Sequence, residues 1–64
     1  MESMFYNIHV FAKSSDQQPI EIMNHAGATD RDAITTARRV IENLHRRVGA
    51  WALVDCHDRV VHRE

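Results

Sequence analysis

Five histidines and a single cysteine are the residues in this 64-residue chain best suited to binding a metal or doing acid–base chemistry. His9 and His25 fall in separate extended runs, His45 in a helical stretch, and Cys56, His57 and His62 around one turn. Zinc sites draw their ligands from short repeated spacings such as CxxC, HxxxH or HExxH, and none occurs here. Cys56 and His57 are also neighbours, so in extended chain their side chains point to opposite faces. That geometry works against a shared metal ion and equally against a thiol–imidazole dyad. Ser14, Ser15 and Asp16 read as a polar turn, and Asp55 with Asp58 as turn chemistry rather than a pair of catalytic carboxylates. Only Gly27 and Gly49 are available, so no glycine-rich phosphate loop exists. The expectation is a non-catalytic protein with no catalytic residues, no metal and no cofactor.

The arginines are the second group. On a helical wheel Arg31, Arg38 and His45 form one column and Arg39 and Arg46 another, with Arg47 on the far flank. Glu42 stands four residues from both Arg38 and Arg46 and can pair with either. Residues 29–48 hold five arginines against Asp30, Asp32 and Glu42, a balance of +2, and the rest of the chain carries −3. The overall charge of −1 and pI near 6.5 lack the basic footprint of a nucleic-acid binder. Two readings stand: a solvated helix face, or a cationic face in which Arg38, Arg39 and Arg46 meet an acidic protein surface or phosphate.

A helix must position those arginines, and residues 30–48 have its signature. Thr29 is a suitable N-cap with Asp32 three residues on. Acids fill the first turn and His45, Arg46 and Arg47 the last, matching the dipole. Ala33, Ile34, Ala37, Val40, Ile41, Leu44 and Val48 make one apolar stripe. Gly49 is placed to end the helix in the left-handed conformation. Around it, strands are expected over 4–13, 19–24, 50–55 and 59–63, with Met1 to Ser3 frayed. The fold class is therefore α+β: one domain over 1–64, in which a single helix packs on one face of a three- to four-stranded antiparallel sheet in β-β-α-β-β order.

One helix covers one face of a sheet. With Tyr6, Ile8, Val10, Ile20 and Ile22 turned toward it, the back carries Phe5, His9, Phe11, Glu21 and Met23. One alternate set from residues 50–55 joins them, either Trp51 with Leu53 or Ala52 with Val54. An apolar face of this kind is rarely left to water. Either the N-terminal residues or the last strand fold over Phe5 and Phe11, or the face meets a partner through Phe5, His9, Phe11, Met23 and Trp51. That partner would be another protein or a second copy; nucleic acid stacked on Phe5 and Phe11 is the alternative. No apolar run reaches 18 residues and no charged-then-apolar leader is visible, so a soluble cytoplasmic protein is expected. The lone Cys56 fits a reducing compartment.

The stretch VDCHDRVV (54–61) resembles the VxDxxGxVV hairpin on which many short bacterial and phage proteins of this element order end, with Arg59 where glycine is usual. In size the chain also resembles small phage-encoded inhibitors of host machinery, anti-CRISPR proteins among them. What that resemblance implies is action by occluding or occupying a surface.

Overall fold

A computed structural model describes residues 4–44 and 46–64. Met1 to Ser3 and His45, expected to be frayed and to sit at the helix's positive end, lie outside the described residues. The elements are β1 (Met4–Phe11), β2 (Glu21–Gly27), α1 (Asp30–Glu42), β3 (Ala50–Asp55) and β4 (Val60–Arg63). They form one helix on a four-stranded antiparallel sheet, the expected α+β class and order, with spatial order β2-β1-β3-β4. Strands β2 and β3 both run antiparallel to β1 and so parallel to each other. Joining them takes a crossover, and α1 supplies it.

Alternation places Tyr6, Ile8 and Val10 of β1 beneath the helix, together with Trp51 and Leu53 of β3 and Ala33 and Ala37 of α1. Small residues on α1 let the helix approach the sheet closely. Thr29 caps it as expected: its hydroxyl accepts from Asp32 N at 3.1 Å, while Asp32 Oδ2 accepts from Ala28 N at 3.1 Å. The C-terminus differs from expectation. The helix ends at Glu42, where Asn43 N and Leu44 N turn back to Val40 O and Ile41 O in a tightened last turn. Length explains this. Thirteen residues span about 20 Å, close to the roughly 23 Å of the seven-residue β2, whereas a helix to Val48 would overshoot the sheet. Leu44 and Val48 still reach the core from the connecting segment.

Gly49 therefore does not stop a helix, and neither described glycine has a positive φ. Its role is close approach: a Cβ there would lie 2.3 Å from Ala12 O. Gly27 acts likewise, since a Cβ would meet that of Ala33 at 2.8 Å.

Strand β2 presents the opposite face from the one expected. Ile8 pairs with Met23 and Tyr6 with His25, so Met23, His25 and Gly27 face the helix. Ile22 and Ile20 are exposed instead. Two contacts account for the choice: only Gly27 admits Ala33, and His25 Nε2 lies 3.1 Å from Ala33 O and 2.9 Å from Thr36 Oγ1.

In the β3–β4 turn the left-handed residue is Asp58, with φ 62°, rather than Arg59. The position that favours glycine in such hairpins is thus one residue earlier than the VDCHDRVV pattern suggested, and Asp tolerates it better than most.

Candidate functional site

Strand β1 carries Phe5, His9 and Phe11 to the back of the sheet, as expected. Met23 and Trp51 are not there. Met23 packs against the core beneath α1, and Trp51, paired with Val10, lies on the helix side with its ring 5.6 Å from that of His62. Ala50, Ala52 and Val54 are the β3 residues on the back, where they form a buried cluster with Phe11. Phe11 is only 5% exposed. The Arg63 guanidinium stands 4.5 Å above its ring and donates to Ser14 O at 3.0 Å. The last strand thus covers Phe11, by a cation–π contact that also ties down the β1–β2 loop. Phe5, by contrast, is 71% exposed.

The arginines are largely occupied. Arg38 pairs with Glu64, its Nη2 2.6 Å from Oε2. Hydrogen bonds from Arg38 and then His62 hold the Glu64 carboxyl below the usual carboxylate range, and Glu64 raises Arg38 in turn. Arg46 lies beyond α1 rather than on it, and pairs with Glu21. Two of the three arginines assigned to a basic helix face thus already have carboxylate partners in this domain. Arg39 is exposed on the flank of α1.

Polar groups near the β3–β4 turn serve the turn itself. Asp55 is buried, and its Oδ1 accepts from His57 N and Arg59 N, both at 2.9 Å, while Oδ2 accepts from Arg59 Nε at 2.9 Å. The Arg59 N–H first, then the His57 N–H and the guanidinium, keep this carboxyl below its ordinary range. A lowered folded value makes its stabilisation present above the unfolded pKa of about 3.9 and lost as pH falls through the folded value. Asp55→Asn is therefore expected to lower the thermal midpoint at neutral pH and to flatten its decline below pH ~4, which acid titration of both proteins checks. Tyr6 donates to Asp30 Oδ1 at 2.5 Å. Burial, reinforced by Asp30, pushes its phenol up to about 12, so it stays protonated.

Beside these residues a depression of about 230 Å³ is lined by Asp30, Asp55, Arg59, Val60 and Val61. It falls short of the ~300 Å³ at which ligand pockets begin. Among the described residues no three His, Cys, Asp or Glu side chains gather to hold a metal ion. No helix is long and apolar enough to cross a membrane among them either.

The feature the sequence reading missed is the outer edge of β2. Trp51 and Glu64 exchange N–H···O bonds in both directions, so β3 directs Trp51 and Leu53 toward β4 and Ala50, Ala52 and Val54 toward β1. Their partners Phe11, His9 and Asn7 face β3; Gly49 N donating to Phe11 O agrees. Tyr6, Ile8 and Val10 consequently face β2, which Ile20 N donating to Val10 O supports. Their partners are His25, Met23 and Glu21. The N–H and C=O groups of Ile22, Asn24 and Ala26 are left pointing outward from the sheet.

Natural sheets blunt such edges with short strands, bulges, prolines or inward charges. Strand β4 does so: it has four residues, a register shift opposite Leu53 and Val54, and Arg63. Strand β2 has seven residues, and its ladder to β1 runs without a shift. Among the described residues no strand lies beyond it. Along it Ile22 is 56% exposed, Ile20 is also exposed, and the back face beside it carries Phe5, directly opposite Ala26.

Comparison of the chain with protein-family models, curated proteins and solved structures finds no match. The order of elements was the available signal for this edge. A helix between the second and third strands makes them parallel, so an all-antiparallel sheet must set one strand between them and leave the second outermost.

Proposed function

We propose that this chain is a non-catalytic protein-binding module that accepts an extended protein segment along the outer edge of β2. The observation that carries this reading is the unblunted seven-residue edge with the outward main-chain groups of Ile22, Asn24 and Ala26. Strand addition uses main-chain hydrogen bonds for affinity and alternate side chains for selectivity. Phe5 and Ile22 supply the exposed apolar contacts on the back face, and His9, paired with Ile22, borders them. Of the three arginines Arg38, Arg39 and Arg46, two pair with carboxylates within the domain, and Phe11 lies beneath Arg63, which weakens the case for gripping phosphate or stacking bases. A small module acting this way would work by occupying a surface, as an inhibitor of a larger assembly does.

Asn24→Pro is the direct test. Its N–H points out of the sheet, so proline there removes no bond to β1 and is tolerated on an edge. The variant should keep its circular dichroism spectrum and lose more than tenfold in affinity for any protein held by strand addition. Equal retention by wild type and Asn24→Pro in affinity capture would remove the edge as the binding site.

A further inference from the structure

We infer that the strand received by this edge is β2 of a second copy, paired antiparallel about a two-fold axis at Asn24. This rests on the edge being a binding surface, and it names the occupant. The outward positions are three and evenly spaced: Ile22, Asn24 and Ala26. A strand presenting such a set is complementary to itself, because a two-fold through the middle residue sets Asn24 against its counterpart and Ile22 against Ala26 of the other copy. Every outward N–H and C=O of the three positions then finds a partner, and the two sheets become one continuous sheet.

The side chains fit the same register. On the back face Phe5 is paired with Ala26 within one copy, and Ile22 of the second copy arrives on the other side of that alanine. The small Ala26 side chain lets the Phe5 ring reach across to it. Phe5 and Ile22, at 71% and 56% the two most exposed large apolar residues on this half of the back face, would cover each other twice over, once on each side of the axis. At the centre two Asn24 amides meet, each able to donate and accept.

The helix side agrees by charge. Arg38 reaches Glu64 at the β4 side and Thr36 reaches His25 on β2, which fixes the rotation of α1 about its axis. Asp32 and Arg39 then lie on the flank nearest the open edge, about two turns apart, on either side of Thr36. A two-fold beside Thr36 brings Arg39 of each copy toward Asp32 of the other. A 64-residue chain with no internal disulfide is also near the size at which pairing adds needed burial.

Sedimentation of the purified chain over a range of concentrations tests this, with Asn24→Pro alongside. A reversible wild-type dimer and a folded Asn24→Pro monomer are expected, and Arg39→Glu should raise the dimer dissociation constant about two- to thirtyfold, since the two-fold axis loses two exposed ion pairs worth ~0.2–1 kcal/mol each. A second measurement fixes the register. Opposed residues in a hydrogen-bonded pair have Cα atoms ~5.5 Å apart, within disulfide reach. With Cys56→Ser in the background, Asn24→Cys should oxidise to a covalent dimer. Ile22→Cys should do so only when mixed with Ala26→Cys. A wild-type monomer at every concentration overturns the second copy as occupant and leaves the edge open to another protein. A dimer that survives Asn24→Pro, or an Asn24→Cys chain that fails to cross-link as a dimer, overturns the pairing and the edge together.

Discussion

Gly49→Ala leaves much of the chain unfolded at room temperature. The new methyl carbon would sit 2.3 Å from Ala12 O, 2.6 Å from Lys13 Cα and 2.7 Å from Ala12 C. All three are main-chain atoms, so no side chain can swing aside to make room. Gly49 N also donates to Phe11 O at 3.0 Å, which fixes the approach at the end of β1. Relief requires moving β1 or detaching the start of β3, the two central strands. Overpacking of this kind costs about 3 kcal/mol, comparable with the ~3–5 kcal/mol that a core this small supplies. Denaturant titration should show the midpoint falling toward zero. An unchanged midpoint would mean that the approach of Gly49 to Ala12 is looser than described.

Met23→Pro unfolds the domain, while the same substitution one residue later does not. Met23 stands opposite Ile8 in the ladder, with its N–H toward β1, and its side chain packs under α1. Proline there removes a ladder bond together with core contacts, whose loss alone costs about 2 kcal/mol or more for a truncated core Met. Asn24 has its N–H outward and its side chain exposed, so its replacement should shift the thermal midpoint by only a few degrees. Circular dichroism melts of the two variants check the contrast. Similar melts for both would place the strand's inward and outward groups wrongly.

The helix start, the strand β3 and the order of elements were legible because each follows from local chemistry: Thr29 with Asp32, the five-residue apolar run from Ala50 to Val54, and the alternation of β1. The face of β2 was not. Its inward set, Glu21, Met23, His25 and Gly27, is less apolar than Ile20 and Ile22, and what selects it is a helix contact from Ala33 and Thr36 that no strand pattern contains. The site suffered for the same reason. Alternation alone points Met23 to the back and leaves open whether Trp51 with Leu53 or Ala52 with Val54 joins it; pairing with Ile8 and Val10 turns Met23 and Trp51 toward α1, and Ala52 with Val54 is the set on the back. Phe11 lies on the back as expected, and of the two alternatives for it, coverage by the last strand or a partner, the first holds: Arg63, 52 residues away in sequence, closes over its ring. The helix end was overextended since Leu44 and Val48 keep the apolar period while the chain carrying them is no longer helical.

Amide hydrogen exchange resolved along residues 21–27 reads the proposed binding at the outer edge of β2. Met23 and His25, bonded to β1, should be protected at every protein concentration. Ile22, Asn24 and Ala26 should exchange freely in dilute solution and become protected as concentration rises. Fast exchange of those three amides in a sample that is demonstrably dimeric or partner-bound would place the binding surface elsewhere than on this edge.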